Sequence, residues 1–210
     1  MRRKLWLQAG ALAAAAALIV LAFRLGGADR RITEFFYDAA RGGFPLKDAW
    51  LLAVPGHTGL KWVALGFWVL CLAWGGRLRR GALYMAAIAA VVSVLRSYSP
   101  YSCPWDLLEY GGGNPGEGRC LPAAHPLTGF SLFGLYLALR GAEPKLARGV
   151  LAAAWLIGLA AGAVQVARGA HFASHVLWTA WLACAVTLLL NHFEQPQERL
   201  GAQPHFPQEP

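Results

Sequence analysis

The sequence predicts an all-α fold, a polytopic membrane bundle of about six transmembrane helices. Of its 210 residues, 57% are hydrophobic and only 14% are charged. The apolar residues are gathered into nearly uncharged stretches of roughly 17 to 20 residues, the length a helix needs to cross about 30 Å of hydrocarbon. We therefore expect one membrane domain over residues 1–193, followed by a disordered, proline-rich polar tail over residues 194–210.

The predicted spans follow one another through short connections. The first predicted span follows the basic residues at the N-terminus of the chain. Its apolar run of about 17 residues is longer than the hydrophobic core of a usual signal peptide. It also lacks a clean A-x-A cleavage site, so we expect an uncleaved helix. Several spans are short, which favours tilting or anchoring by Trp and Tyr. The predicted spans are Leu5–Phe23, Leu60–Gly75, Ala82–Leu95, Leu127–Leu139, Val150–Ala167 and Phe172–Leu190.

Basic residues outnumber acidic residues in the chain, which has a formal net charge of +8, and we interpret these charges as determinants of membrane topology. The charges are scattered at span ends without a basic run interleaved with aromatic residues, so no nucleic-acid partner is expected. The basic segments Arg77–Arg80 and Arg140–Arg148 lie on one side together with the N-terminus, which favours cytoplasmic termini. The first outer loop is basic too, and this leaves the reverse orientation open. Its stretch "RITEFFYDAARGGFP" indicates a helix at the membrane interface.

The second outer loop, Ser97–Pro122, contains "EYGGGNPGEGRCLP" and is expected to form a flexible cap. Cys103 and Cys120 bracket this loop. On an oxidising face of the membrane a disulfide between them is allowed, and closing a loop of this length contributes about 3 kcal/mol in the chain-entropy model. Two free thiols would fit the reverse orientation. Cys71 and Cys184 lie inside apolar spans and are interpreted as packing residues.

Polar residues collect at the predicted outer ends of separate spans. Each of them alone is explained as an interfacial arginine or a histidine at a helix start. Together they indicate an anion site, because guanidinium groups bind phosphate oxygens in pairs and polar groups this close to a membrane are costly. These residues are Arg96 after the third span, His125 before the fourth, Arg168 after the fifth, and His171 and His175 at the start of the sixth.

The order and spacing of these residues carry a family resemblance. The stretches are Arg96 followed after six residues by Cys103-Pro104, then Pro122-Ala123-Ala124-His125, then Gly169-Ala170-His171 with His175 four positions later. They resemble the three-part signature of the type-2 phosphatidate phosphatase superfamily, K-x6-R-P, P-S-G-H and S-R-x5-H-x3-D. The resemblance covers about residues 60–190.

The resemblance implies a lipid phosphatase that works through a phosphohistidine. His171 matches the nucleophile, and His125 matches the acid that protonates the leaving group. Arg96 takes the place of the motif lysine as a phosphate clamp. The backbone N–H groups near Ala124 and His125 would add an anion cradle.

The chain departs from the signature at several positions. Cys103 replaces the first motif arginine, and Gln165 replaces the second. Arg168 follows one helical turn later and is expected to reach back over Gln165 as a relocated clamp. His175 replaces the aspartate that would hold the nucleophile's imidazole, and a neutral histidine stabilises an imidazolium far less.

Two acidic residues of the outer loop, Asp106 and Glu109, are the candidates for the missing negative charge. The serine and glycine of P-S-G-H are both alanine here, at Ala123 and Ala124, which removes a hydroxyl contact to phosphate.

Three other functions stay open. His171 and His175, four residues apart, could bind a metal with His125, but no H-E-x-x-H glutamate is present and the arginines repel a cation. The chain could also be a non-catalytic protein that binds or moves lipids, or it could transfer the phosphoryl group to another lipid instead of water.

The expected substrate is a phospholipid, an isoprenyl diphosphate or a lipid A phosphate, and the expected site faces the periplasm from a bacterial inner membrane. No organic cofactor motif is present, and the resemblance implies no metal. The sequence does not indicate an oligomeric state.

Overall fold

The computed structural model describes residues 2–113 and 118–201, and within these residues the regular structure is helical apart from one isolated antiparallel bridge between Asp38 and Gly43. The all-α prediction is confirmed. In chain order the helices are α1 (Arg2–Ile19, continued by a π-helical turn Val20–Leu25), α2 (Ala28–Phe36), α3 (Trp50–Ala53, continued by a π-helical turn Val54–Gly59), α4 (Leu60–Trp74), α5 (Gly76–Ser97), α6 (Leu127–Phe130), α7 (Leu132–Leu139), α8 (Pro144–Ala167) and α9 (Ala173–Gly201).

Five helical segments of the described chain are long and apolar enough to cross a membrane, so the protein is multi-pass. The fourth predicted span, Leu127–Leu139, is a shorter apolar helix pair, α6 with α7. The five long segments are Leu5–Leu25, Trp50–Trp74, Gly76–Ser97, Pro144–Ala167 and Ala173–Glu194.

The boundaries of the spans differ from the prediction where polar or helix-breaking residues occur. The second span begins at Trp50, ten residues before the predicted Leu60. The helix includes Pro55 and Gly56, both helix-breaking residue types, in a π-helical turn. α9 continues to Gly201, into the segment predicted as a tail, and residues 202–210 lie outside the described chain.

Short helix α7 is the buried centre of the bundle. Its residues Phe133, Leu135 and Leu137 are at most 3% exposed, which explains why a short apolar helix suffices here. Glycines let the neighbours approach: a Cβ on Gly129 would lie 2.0 Å from the backbone nitrogen of Gly158 in α8. Small residues at helix crossings permit this close backbone packing within membranes. α1, in contrast, is peripheral and is tied to α9 by the Trp181 indole, which donates to the Leu12 carbonyl at 2.8 Å.

The first outer loop is folded onto the start of α9. The expected interfacial helix is present as α2, and it ends before Tyr37. Asp29 of α2 accepts the backbone N–H of Ser174 at 2.9 Å and also the Ser174 hydroxyl, so it caps α9 through space. Phe44 is buried against Gly169, where an added Cβ would meet its ring at 2.4 Å.

The second outer loop is held at both of its ends. The amides of Arg119 and Cys120 donate to the carbonyls of Ser99 and Tyr101 at 2.7 and 2.9 Å. Cys103 and Cys120 form a disulfide. The described part of the loop is therefore anchored, while most of the Gly-Asn-Pro-Gly run, at residues 114–117, lies outside the described chain.

Candidate functional site

The five polar residues singled out from the sequence lie at one end of the bundle, which we call the histidine end. Arg96 lies in the last turn of α5, His125 precedes α6, and Arg168 caps the C-terminus of α8. His171 and His175 flank the start of α9. The charges of Arg96 and of both other histidines act on His171 and contribute to lowering its pKa, so this end brings the residues within electrostatic reach of one another.

The turn between α8 and α9 aims His171 into the protein. α8 ends at Ala167, and Gly169 adopts a left-handed conformation with φ +74°. The amide of Ala170 then bonds back to the carbonyl of Gln165 at 2.9 Å, a hydrogen-bonding pattern common at helix C-termini. Five residues, 168–172, join α8 to α9, and within this turn His171 is left only 7% exposed.

His171 is a neutral imidazole at physiological pH. Burial, followed by the neighbouring charges of His175 and Arg96, lowers its pKa to about 3. The group therefore keeps a lone pair on one ring nitrogen, as a nucleophile requires.

The Nδ1 atom of His171 contacts the sulfur atom of a cysteine. Cys120 Sγ lies 3.1 Å from this nitrogen, and Cys120 itself is fully buried. The sulfur belongs to the disulfide, carries no hydrogen and can only accept, so we assign the proton to Nδ1 and the lone pair to Nε2.

The expected orienting role of His175 is therefore not supported. The rings of His175 and His171 are packed with centroids 5.9 Å apart, and His175 Nδ1 has no hydrogen-bond partner among the described residues. The physical reason is the direction of the imidazole: its Nδ1 faces the Cys120 sulfur instead of the following helical turn.

Besides Thr33 Oγ1 of α2, two further buried donors lack partners within the described chain: Arg96 Nε and Gln165 Nε2. A buried donor without a partner costs about 1–3 kcal/mol, so such atoms in one place are typical of a site that is completed by a ligand. Both residues stand at positions where the family signature has a cationic residue.

Arg168 reaches back over Gln165, as predicted. Its Nη1 donates to Gln165 Oε1 at 3.4 Å, and its Nε donates to the carbonyl of Lys47 at 2.8 Å. The second bond ties the arginine to the first outer loop. Lys47 also lies over the Trp105 ring at 5.1 Å, which joins the two outer loops above the site.

His125 is held by a part of the chain that the sequence prediction missed. Its Nε2 lies 3.1 Å from the carbonyl oxygen of Gly56, and its ring centroid is 4.5 Å from that of His57. Both partners belong to the π-helical turn after α3, and such turns are common at functional sites. The only sequence signal was the Pro-Gly-His run inside an otherwise apolar stretch.

The Gly56 carbonyl can only accept a hydrogen bond, so His125 Nε2 carries a hydrogen and donates it to this oxygen. The Nδ1 atom of His125 is therefore the ring nitrogen that is left to exchange a proton. Burial lowers the pKa of His125. The segment is tied to α9, because the Ala123 amide donates to the His175 carbonyl at 3.3 Å and the Thr179 hydroxyl donates to the Ala123 carbonyl at 2.8 Å. The expected anion cradle at Ala124 stays a prediction.

Asp29 is a carboxylate that contacts the start of α9, whereas the roles expected for Asp106 and Glu109 stay a prediction. Asp29 binds Ser174, which lies between the two histidines in sequence. Burial raises the pKa of Asp29, and the hydrogen bonds from Ser174 oppose this shift. The sequence carried no signal for this contact, because 145 residues separate the partners.

A three-histidine metal set is not supported by the geometry. In the described part of the chain the only group of three possible donors close enough to share an ion is Cys103, Cys120 and His171, with all donor atoms within 4.8 Å. The two sulfurs are bonded to each other and are not available as thiolates.

A groove of about 510 Å³ opens beside His175. One wall comes from the outer end of α1 and the other from α9, and the lining is mostly apolar. Its lining includes Ile19, Phe23, Leu107, Leu121, Phe172 and Trp178, with Asp29, Arg24 and His175 as charged or titratable groups.

Comparison with known proteins agrees with this arrangement. Searches of the curated proteins and of the solved structures give no match. A family model described as PAP2 superfamily matches residues 77–199, more than half of the chain, and the matched range includes all five polar residues of the histidine end. The chain belongs to the PAP2 superfamily, and this membership supports a phosphatase at the level of the reaction type.

Proposed function

We propose that the protein is a membrane lipid phosphatase that removes phosphate from a lipid phosphate monoester or diphosphate through a phosphohistidine at His171. The observation that carries the proposal is the combination of a buried neutral imidazole with unpaired donors on Arg96 and Gln165. A phosphate oxygen would satisfy both donors and bring phosphorus to the imidazole.

The proposed reaction has two displacements. Nε2 of His171 attacks phosphorus, the bond from phosphorus to the leaving oxygen breaks, and protonated His125 gives its proton to that oxygen. Water then attacks the phosphohistidine, the P–N bond breaks, and His125 takes the proton of the water. Inorganic phosphate leaves, and both histidines return to their starting states.

The groove beside His175 supports a lipid substrate. Its apolar walls are formed partly by α1, whose membrane-spanning window has no residue buried within the protein and therefore faces lipid. An acyl or isoprenyl chain would lie in this groove with its phosphate toward the histidines. The phospholipids, isoprenyl diphosphates and lipid A phosphates expected from the resemblance all have this shape.

The disulfide supports an outward-facing site. A bond between Cys103 and Cys120 persists in an oxidising compartment, which for a bacterial inner membrane is the periplasm. This favours cytoplasmic termini over the reverse orientation that the charge pattern left open.

The test is phosphate release by the purified protein in detergent micelles with each of these lipid phosphates. We expect turnover with at least one lipid, and a fall of at least about 10³-fold for His171→Ala, because the nucleophile is removed. His192→Ala is the matched control, since His192 is an exposed histidine in the last turns of α9, and it should keep full turnover.

Other outcomes favour the alternatives. No release from any lipid by the folded protein, with lipid binding retained, would identify a non-catalytic lipid-binding protein. Radiolabelled phosphate found on a second lipid instead of in solution would identify a phosphotransferase with the same intermediate.

A further inference from the structure

We propose that Cys120, locked in its disulfide with Cys103, is the positioning residue for His171 and takes the place of the missing motif carboxylate. The inference deepens the proposed function, because it concerns the same nucleophile. It assigns to the disulfide a role in setting which ring nitrogen of His171 attacks.

The sulfur is held firmly against the imidazole. Besides its 3.1 Å contact with His171 Nδ1, Cys120 Sγ lies 3.2 Å from the carbonyl oxygen of Ala170, the residue just before the histidine. Its own amide is fixed on the Tyr101 carbonyl at 2.9 Å. Cys120 is therefore fastened through its backbone and its disulfide, and its side chain is fully buried.

The oxidation state of the sulfur determines what it can do. A disulfide sulfur has lone pairs and no hydrogen, so it can only accept the Nδ1 proton, and Nε2 keeps the nucleophilic lone pair. A thiol can donate as well as accept. After reduction the S–H group can donate to Nδ1, which stabilises the tautomer with hydrogen on Nε2 and removes the nucleophile.

Other polar groups near His171 do not fill this role. His175 Nδ1 has no hydrogen-bond partner within the described residues, and the His175 ring packs on the His171 ring with centroids 5.9 Å apart. Asp29 is engaged by the amide and the hydroxyl of Ser174. The disulfide sulfur is the side-chain acceptor that the geometry offers to Nδ1, and the backbone of Cys120 also hydrogen-bonds the imidazole.

The experiment compares the oxidised protein with the same preparation after reduction, in detergent micelles with a lipid phosphate that it hydrolyses. We expect kcat to fall at least about tenfold on reduction while KM changes less than about twofold, and reoxidation should restore kcat. Cys103→Ser, which leaves Cys120 as a thiol, should match the reduced protein. Cys184→Ser is the matched control, because Cys184 is a free cysteine in α9, and it should behave as wild type.

A pair of double variants distinguishes the positioning role of Cys120 from the role of the disulfide as a cross-link of the loop. The pair Cys103→Ala/Cys120→Asp restores an acceptor beside Nδ1 without a disulfide, whereas Cys103→Ala/Cys120→Ala restores neither. We expect the aspartate variant to recover most of kcat, with no recovery in the alanine variant. Equal kcat in the two variants would overturn the positioning role and leave the disulfide as a structural cross-link.

A spectroscopic readout is independent of turnover. With 15N-labelled histidine, the His171 signals, assigned by their loss in His171→Gln, should report hydrogen on Nδ1 in the oxidised protein and a change on reduction. Hydrogen on Nε2 in the oxidised protein would overturn the proposal even if the cysteine variants fail to fold. If the tautomer is as expected but no lipid is hydrolysed, the positioning stands and the proposed function fails.

Discussion

The two ends of the bundle both carry arginines at helix ends, but they use them differently. At the end opposite to the histidines, Arg80 lies 3.6 Å from the carboxylate of Glu194, which also accepts the Tyr84 hydroxyl. Arg140 donates to the side chain of Asn191. At the histidine end, Arg96 Nε is buried without a partner in the described chain. Arg168 at the same end does have partners, so the absence of a partner at Nε, and not the presence of an arginine, marks Arg96 as a residue open to a ligand.

Among the variants that compare the two ends, Arg96→Ala has the largest expected effect. Arg96→Ala should lower kcat/KM by about 10²–10³-fold, the range for removing one donor to a transition-state oxyanion. It should leave the melting temperature unchanged or raised, because an unsatisfied buried donor is removed. Kinetics with the lipid phosphate and thermal unfolding in detergent measure the two quantities.

Arg140→Ala is the matched substitution at the opposite end. It should lower the melting temperature, because it leaves Asn191 without its partner, and it should keep kcat/KM within about twofold. If the two variants exchanged behaviour, the distinction between the ends would be wrong.

The next prediction concerns pH. The pKa of His171 is about 3 in the folded protein, below the value of 6.5 of an ordinary histidine, so the unfolded chain takes up this proton first as pH falls. Stability should be fully present above pH 6.5 and should be lost as pH falls from there toward 3. His171→Gln removes the pH dependence that this histidine contributes. The melting temperatures of wild type and variant, measured from pH 7 to 4, should therefore converge, or cross so that the variant is the more stable protein at low pH.

The pH dependence of turnover is a second test of the pKa of His171. The acid side of the pH–rate profile should not be set by His171 above about pH 4, because its imidazole is already neutral there. A limb with an apparent pKa near 6 that disappeared only on changing His171 would contradict the burial of this residue.

The smallest expected effect concerns the outer loop that covers the histidine end. Asp29→Ala removes the cap of α9, so stability should fall by about 0.5–2 kcal/mol, and turnover should fall a few fold because Ser174 lies between the histidines. Asp38→Ala is the control, since the Asp38 side chain accepts the amides of Ala40 and Arg41 and pairs with the Arg41 guanidinium in an exposed turn. It should change both quantities less, as measured by thermal unfolding and phosphate release.

Much of the fold followed from the sequence because a membrane imposes a length and a polarity on each span. The hydrophobic pattern located all six apolar segments, yet it placed the start of the second span ten residues too late. Pro55 and Gly56 are local helix breakers, but tertiary packing tolerates them in a π-helical turn. The helical reading of the first outer loop was confirmed for α2, while the packing of Phe44 on Gly169 had no local signal.

The candidate site divides in the same way. The resemblance to the family signature indicated Arg96, His125 and His171 through the order of the motifs and the spacing inside each of them, and the reach of Arg168 over Gln165 followed from helical geometry. The partners of the histidines lie far away in sequence: Gly56 is 69 residues from His125, and Cys120 is 51 residues from His171. No periodic pattern reports on such contacts.

By itself, the sequence determined that this is a multi-pass helical membrane protein of the PAP2 superfamily, with basic and histidine residues gathered at the ends of its spans. Hydrophobic length and motif spacing are local quantities and can be read along the chain. The tertiary structure alone decided which atoms meet: a disulfide sulfur at His171 in place of a carboxylate, a backbone carbonyl at His125, and Asp29 on α9. These contacts depend on how helices pack and how loops close over them, which the order of residues does not state.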